Sequence, residues 1–437
     1  MSLNRREFMG GLGLAAGVSA TAAAQSPEEL PVSSRELWEF ARQQPVIEPG
    51  LVWLNSAFSG PSLRRVLIEE YRHREAQSAN RIAYHSANLT GAGLQNLLNP
   101  VAAFLGANAE EISFTSGCTE ALNLLATGLD LLEGDEIVTT QHEHPAAIYP
   151  WLLQAKRRGL KIVQVSLPTP LPHPQHVIDA FTAALSPRTR VLACAHVQYT
   201  DGSLLPVREL SELARSRNIL SVVDGAQALG MLPVSLRDLG CDFYAAGFHK
   251  WCSGPAGTGM LYLRDAARHR VWPAVVAGHD EWDALDRDGA PSVQPAAEYR
   301  ADWPGALRKF AYSFQHLAPL FFSLLPALQF QRDIGRERMT ARIRELAWYL
   351  RLQLQRVTGV RILTSAHPQL WAGIVSFQVP GVDSAELARR LLAEHRIAVQ
   401  AVKHAGAGFD AVRAAPHVYN SYDDIDRLAN AVARLVR

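Results

Sequence analysis

One lysine in the stretch GFHKWCSGPAGTG, residues 247–259, has aromatic, apolar and turn-forming neighbours. Lysines ordinarily lie on solvated faces, where the amine stays protonated and unreactive. Lys250 instead stands between His249 and Trp251, and an amine that is desolvated or close to other positive charge becomes available as a nucleophile. The residue is therefore either an ordinary loop charge or a chemical centre.

Two further polar positions follow apolar, strand-like runs. In VVDGAQALG, Asp224 ends such a run, where a carboxylate is costly unless a cation meets it; the alternative is a helix N-cap. In FTSGCTEA, a strand-to-helix turn brings the amides of Gly117 and Cys118 and the hydroxyl of Thr119 to a helix N-terminus, which suits a phosphate. The turn is not a Walker loop, and similar turns cap many ordinary helices.

Two histidines lie close together in QHEHPAAIYPW. His142 and His144 could hold a metal ion, but the spacing places no third ligand, so we expect no metal site. His144 is better suited to lie as a flat ring against an aromatic cofactor.

Together, these residues call for a ligand with a phosphate, a protonatable ring nitrogen and a carbonyl that reacts with an amine. Pyridoxal 5'-phosphate carries all three. On this interpretation Lys250 binds the carbonyl covalently and Asp224 pairs with the ring nitrogen. Gln227 forms a hydrogen bond with the ring hydroxyl, and Thr119 and His249 hold the phosphate.

The elements that position these residues alternate in type. Apolar runs of five or six residues are separated by helical patterns from ISFT to GMLYL, which predicts a mostly parallel sheet covered on both faces. Ligands of open α/β sheets bind beyond the carboxyl ends of the strands, where the residues above fall. The sequence thus predicts an α/β fold.

The chain divides into four predicted segments. Residues 1–24 form an export signal, 25–50 a segment that packs on the smaller domain, and 51–314 the large domain. Residues 315–437 comprise a long connecting helix, roughly 315–357, and a small C-terminal α+β domain.

The first residues resemble a signal peptide. Arg5-Arg6 followed by Phe8 is typical of the twin-arginine export signal, and the small residues Ala22 and Ala24 suit a cleavage site. An ordinary secretory signal or a stray basic start is the alternative. We expect a periplasmic protein that passes through the twin-arginine export machinery.

Composition excludes several classes of partner. The formal net charge of +1 argues against a nucleic-acid groove, and no later apolar run approaches the roughly 20 residues that span a bilayer, so the mature protein is expected to have no membrane segment. The four cysteines, Cys118, Cys194, Cys241 and Cys252, form no CxxC pair. An oxidising compartment would permit disulfides, but their apolar or glycine-rich surroundings favour free buried thiols.

Four motifs of the sequence together resemble those of a known family. SFTSGCTEALNLLATGL, HEHPAAIYPW, VVDGAQALG and FHKWCSGPAGTGMLYL look like the class V aminotransferase family of fold-type I pyridoxal-phosphate enzymes, over essentially residues 50–437. The HKW triplet and the LVWLNSAFSGP segment are similar to isopenicillin-N-epimerase-like members. Exported members that tailor siderophore peptides carry twin-arginine signals as well.

The resemblance implies roles for individual residues. It assigns Lys250 to the covalent link, Asp224 to the ring nitrogen, Gln227 to the ring hydroxyl and His144 to stacking on the ring. The phosphate ligands it implies are Thr119 and His249, with the amides of Gly117 and Cys118. In VRAAPHVYNSYDDID, Arg413 matches the arginine that grips a substrate carboxylate; taken alone it would be a surface salt bridge. The resemblance also implies a homodimer.

The chain departs from the family pattern at three places. Ser313-Phe314 stands where many members have a Gly-Thr pair that reaches the partner's phosphate, so that contact is in doubt. Tyr199 stands where desulfurase-like members have an asparagine. No cysteine follows Cys252, which disfavours cysteine desulfurase activity, since that activity needs a later persulfide-carrying cysteine.

The expected function is chemistry at the α-carbon of an amino acid or of an amino acid within a peptide. An epimerase-like or peptide-tailoring reaction is favoured, with transamination or carbon–sulfur lysis as the alternative. A protein that binds a ligand without turnover is the third interpretation.

Overall fold

The computed structural model describes residues 34–275, 305–311 and 314–436. The predicted export signal, and Ser313 of the departure noted above, lie outside these residues. No helix in the described ranges is long and apolar enough to cross a bilayer.

A seven-stranded sheet forms the centre of the larger part of the molecule. Its strands are β2 (Ile112–Thr115), β3 (Glu136–Thr140), β4 (Lys161–Val165), β5 (Thr189–Ala195), β6 (Leu220–Asp224), β7 (Phe243–Gly247) and β8 (Gly259–Leu263). They are arranged in the order β2-β8-β7-β6-β5-β3-β4, and only β8 runs antiparallel to its neighbours. The predicted mostly parallel sheet is confirmed.

Both faces of this sheet are buried. The neighbouring residues Val222 and Val223 of β6 belong to different core clusters, because successive side chains of a strand point to opposite faces. The helices of this part are α1 (Ser34–Gln43), α2 (Arg64–Ala79), α3 (Arg81–Asn88), α4 (Gly91–Leu105), α5 (Cys118–Gly128), α6 (Pro145–Arg158), α7 (Pro174–Ala184), α8 (Val207–Ser216), α9 (Leu236–Leu239), α10 (Asp265–Arg268) and α11 (Gly305–Phe310). Helices that cover both faces are what continuous apolar strands require.

The prediction of one long connecting helix over residues 315–357 is wrong. The segment forms three helices, α12 (Phe314–Phe322), α13 (Leu325–Ile334) and α14 (Arg336–Gln355). The second break falls at Gly335, whose φ of +93° lies in the region that favours glycine. The chain therefore turns between α13 and α14 instead of continuing as one rod.

The C-terminal part has its own small sheet. The strands β9 (Arg361–Ile362), β10 (Val375–Gln378), β12 (Gln400–His404) and β13 (Phe409–Ala414) pair antiparallel in the order β12-β13-β10-β9. Helices α15 (Ser384–His395) and α16 (Tyr422–Leu435) complete it. This is the predicted α+β arrangement.

The N-terminal segment touches both parts. Strand β1 (Val52–Trp53) pairs in parallel with β11 (Ile397–Ala398) of the C-terminal part. In α1, the buried residues Leu37 and Ala41 belong to the largest core cluster, whereas Arg42 lies 3.8 Å from Asp424 of α16. The domain boundaries given above stay a prediction.

Candidate active site

A cavity of about 560 Å³ opens at the carboxyl ends of the large sheet. Ala195 and Asp224 are the last residues of β5 and β6, and both line it. All the site residues predicted from the sequence line this one cavity: Gly117, Cys118, Thr119, His144, Asp224, Gln227, His249, Lys250 and Arg413. The structure therefore brings together residues that are up to some 300 positions apart in the chain.

Lys250 lies in a loop that is fixed from several sides. The indole of Trp251 is fully buried, and its Nε1 donates to Gln227 Oε1 at 2.9 Å. The carbonyl of Trp251 lies 2.8 Å from Gln331 Nε2 and 3.0 Å from His417 Nε2. Because the next residue is held in this way, the lysine backbone has little freedom.

The electrostatic surroundings favour the neutral amine of Lys250. Burial lowers its pKa most, the charge of Asp224 opposes that shift, and the positive charge of Arg413 adds to it. A lysine in this position reaches its nucleophilic form at a lower pH than a solvated one.

Asp224 is oriented by two donors at the same carboxylate oxygen. The amide of Ala226 lies 2.9 Å from Oδ1, and the Cys118 thiol lies 3.2 Å from it. The side chain is largely buried at the end of β6. A buried carboxylate with this orientation is suited to meet a cationic ring nitrogen.

The turn between β2 and α5 leaves amides available. The helix begins after Gly117, which offers no side-chain cap, so the first amides of α5 keep their hydrogen-bonding capacity. Glu120 accepts from the amide and hydroxyl of Ser116, both at 2.6 Å. Nδ1 of His249 is buried without a partner in the described structure. This unpaired atom and the uncapped amides fit an anionic group such as a phosphate.

His144 presents a neutral ring. It is the N-cap of α6, where its Nδ1 accepts from the Ala146 amide at 3.1 Å. Burial lowers its pKa, with Asp224 opposing and Lys250 reinforcing that shift. The ring packs edge-on against Tyr199, with centroids 4.8 Å apart. A neutral, fixed ring suits the stacking role.

His142, the other histidine of this segment, contacts threonine hydroxyls and is not among the residues that line the cavity. Its two ring nitrogens lie 3.0 and 3.2 Å from the hydroxyls of Thr200 and Thr169. Across the described ranges no group of three metal-ligating side chains is found.

Arg413 reaches the cavity from β13. Its Nη1 donates to the carbonyl of Tyr199 at 2.8 Å, and its Nε is buried without a partner among the described residues. Burial lowers the pKa of the guanidinium to about 10, which still leaves it charged at neutral pH. A largely buried cation with unused donors suits a carboxylate ligand.

The Gln227 amide is partly engaged by the protein. Its Nε2 donates to the Ala57 carbonyl at 2.8 Å, while Oε1 accepts from Trp251. A primary amide has two N–H donors, so one remains for a ring hydroxyl.

Sequence reasoning missed part of the cavity wall. Phe58, Glu120 and residues 400–403 also line it. Gln400 pairs in register with Arg413, so the two strands bring it to the site. Glu120 had a visible signal, because it directly follows Thr119 in the phosphate-suited turn. Phe58 and residues 400–403 come from segments whose proximity to the site no local sequence pattern indicates.

The chain is similar to known proteins over most of its length. The pattern of the family Aminotransferase class-V matches residues 52–428. Isopenicillin N epimerase of Amycolatopsis lactamdurans is 32% identical over 91% of this chain and 98% of its own length. A probable cysteine desulfurase of Halalkalibacterium halodurans is 30% identical over 88% of this chain and 93% of its own.

Solved structures share the fold. The cysteine desulfurase CsdA of Escherichia coli superposes with a TM-score of 0.75 at 26% identity, over 91% of this chain and 97% of that one. A C-DES variant with glycine covalently linked to its PLP cofactor gives 0.74 at 24% identity, over 88% and 97%. The fold is therefore fold-type I, and the cofactor that the family and the cavity support is pyridoxal 5'-phosphate. The chain belongs to the class V aminotransferase family.

Proposed function

We propose that the protein is an exported pyridoxal-phosphate enzyme that acts at the α-carbon of an amino acid, free or within a peptide, in an epimerase-like or siderophore- and peptide-tailoring reaction. One observation carries the proposal. Lys250, with its lowered pKa, shares a cavity with the carboxylate-binding candidate Arg413. The similarity to isopenicillin N epimerases over nine-tenths of the chain supports the choice among reactions.

The cofactor, when bound, supplies an electron sink for charge that develops at the α-carbon. The chain's residues supply the rest. The amides of Gly117 and Cys118, with Thr119 and His249, hold the phosphate. Asp224 keeps the ring nitrogen protonated.

The remaining residues orient the ring and the substrate. Gln227 donates to the ring hydroxyl and His144 covers one ring face. Arg413 holds the substrate carboxylate through paired donors. The Nζ of Lys250 would hold the cofactor through its carbonyl carbon, and as a free neutral amine it would serve as the general base for the α-proton.

The second candidate is aminotransferase or carbon–sulfur lyase chemistry, since it begins with the same proton removal. Cysteine desulfurases are among the relatives. Against sulfur transfer, the sequence contains no cysteine after Cys252. Cys118 lines the cavity, but burial raises its pKa well above the ordinary value and Asp224 raises it further, so it stays a thiol.

The test is incubation of the cofactor-loaded protein with amino acids and siderophore-type peptides in deuterium oxide, followed by mass spectrometry. Deuterium at the α-carbon without other mass change supports epimerisation. Keto products favour transamination, and loss of a β-group favours lysis. A protein that stays colourless with added cofactor and exchanges no hydrogen would instead be a binding protein.

We also propose a homodimer. Large apolar side chains are exposed on α2 and α3: Leu67, Ile68, Tyr71 and Ile82, the last being 82% exposed. A second copy of the chain is the partner we propose for this surface. Sedimentation of the wild type and of Ile82→Lys tests it. We expect a dimer that the substitution weakens; a wild-type monomer with full activity contradicts it.

Export is proposed on the sequence alone. Replacing Arg5-Arg6 with Lys-Lys should abolish periplasmic accumulation if the twin-arginine machinery exports the protein. An unchanged periplasmic yield would show that this route is not used.

A further inference from the structure

The side chain of Cys118 makes contacts that are separate from the role proposed for its backbone amide. Its Sγ lies 3.2 Å from Asp224 Oδ1 and 3.3 Å from the carbonyl of Ala245. A thiol has one hydrogen and therefore donates to one of these acceptors at a time. The charged carboxylate is the stronger acceptor, so the S–H bond goes to Asp224.

The direction of donation is fixed by the protonation state. Burial and the negative charge of Asp224 both raise the pKa of the thiol well above its ordinary value. Cys118 is therefore a donor throughout the neutral range and does not become a second anion beside the carboxylate.

The two donors address the same oxygen. Both donors reach Oδ1 of Asp224, Cys118 from the start of α5 and the Ala226 amide from the turn that follows β6. Among the described residues both of these contacts use Oδ1, so the acceptor capacity of Oδ2 remains available to a ligand. Two donors from separate directions restrict the χ angles of the Asp224 side chain. Little further conformational freedom is therefore lost when a ring nitrogen binds.

We propose that Cys118 is a positioning residue that holds the Asp224 carboxylate toward the ring nitrogen of the cofactor. The inference rests on the role proposed for Asp224. A thiol is a weak donor, so it orients the carboxylate while withdrawing little of the negative charge that keeps the ring nitrogen protonated.

The test measures cofactor affinity of the apoprotein by fluorescence titration in Cys118→Ala, Cys118→Ser, Asp224→Ala and the Cys118→Ala/Asp224→Ala double variant. Thermal unfolding of each apoprotein checks that it folds. We expect Cys118→Ala to weaken affinity by about fivefold to tenfold, the loss of an ordinary hydrogen bond, because a thiol is a weak donor. Cys118→Ser, which keeps a donor, should recover most of it.

The double variant separates orientation from packing. If Cys118 acts through Asp224, removing the thiol in the Asp224→Ala background costs no further affinity. If the two losses simply multiply, or if Cys118→Ser is as impaired as Cys118→Ala, the thiol only packs and the inference is wrong. If Asp224→Ala binds the cofactor like wild type, the role proposed for Asp224 fails first. If Asp224→Ala is impaired while Cys118→Ala is not, the inference about Cys118 fails alone.

Discussion

Lys250 lies where a positive charge is costly, and that cost prepares it for reaction. Burial shifts the amine toward its neutral form, while the charge of Asp224 limits that shift. The same desolvation strengthens every charge interaction in the cavity. The reactivity expected of Lys250 therefore depends both on its amine and on the burial that lowers the pKa of that amine.

The first prediction concerns the covalent link. Borohydride reduction of the cofactor-loaded wild type should fix the cofactor mass on the peptide that contains Lys250, measured by mass spectrometry after digestion. Lys250→Ala should lose that label, and α-hydrogen exchange should fall by about 10²- to 10⁴-fold with the general base removed. Lys250→Arg, which keeps a positive charge near Asp224, is the control and should fail equally. A label on another lysine would contradict the assignment.

A second prediction concerns Arg413. Replacement by lysine keeps one charge but removes the paired donors, so kcat/KM should fall by about tenfold or more, chiefly through KM. The visible spectrum of the bound cofactor should persist, because the guanidinium contacts Tyr199 and none of the proposed phosphate ligands. Steady-state kinetics with spectra separate the two effects. Loss of the spectrum with an unaltered KM would place Arg413 at the cofactor instead.

At the scale of elements, the N-terminal segment and the lysine loop fit closely. The amide of Gly60 donates to the carbonyl of His249 at 2.8 Å. A Cβ at Gly60 would lie 1.9 Å from the carbonyl oxygen of Lys250, which is backbone and cannot swing aside. The segment that precedes α2 thus supports the loop that carries the lysine.

The third prediction follows from that contact. Gly60→Ala should displace the lysine loop, lower the occupancy of the cofactor and reduce stability by about 1–3 kcal/mol. Gly406→Ala is the matched control, because its added Cβ would meet only the His404 side chain at 3.3 Å. Cofactor absorbance per protein and urea unfolding measure both effects. Equal behaviour of the two variants would show that the loop tolerates the shift.

Elements that follow a local rule could be predicted from the sequence. Asp224 and the turn at Gly117 stand at the ends of apolar runs, and strand ends of a parallel sheet converge on one edge. The cavity wall from β12 could not be predicted, since Gln400 reaches the site only through its pairing with Arg413. The break at Gly335 had a signal, a glycine in a helical pattern, that was outweighed by the periodicity around it.

At the scale of the whole molecule, buried histidines tie its parts together. His417, in the C-terminal part, stacks on Tyr419 and lies against Trp251 of the lysine loop. Its Nδ1 accepts from the Val418 amide at 2.9 Å, so the Nε2 hydrogen donates to the Trp251 carbonyl. His196 directly follows β5 and is buried, with its Nδ1 3.0 Å from the Tyr244 hydroxyl. Both rings are held neutral.

The fourth prediction is acid sensitivity. Burial lowers the pKa of His196 and of His417 from 6.5 to about 4, so between these values the unfolded chain binds protons that the folded one excludes. Stability should therefore fall as the pH drops, by about 2 kcal/mol per histidine between pH 7 and pH 5. Urea unfolding at both pH values measures it.

Variants locate the origin of that loss. His417→Gln should shrink the difference between the two pH values by about 2 kcal/mol, since its titration is removed. His176→Gln, at an exposed position of α7, should leave the difference as in wild type. An undiminished difference in His417→Gln would mean that the ring does not stay neutral.

The most direct measurement starts from a single enantiomer of each candidate amino acid or peptide, labelled with deuterium at the α-carbon, and follows it in ordinary water by chiral chromatography and mass spectrometry. The account predicts that wild type loses the label and forms the opposite configuration at that carbon, and that Lys250→Ala does neither. Label loss with keto products in place of the epimer, or an epimer formed equally by Lys250→Ala, would contradict it.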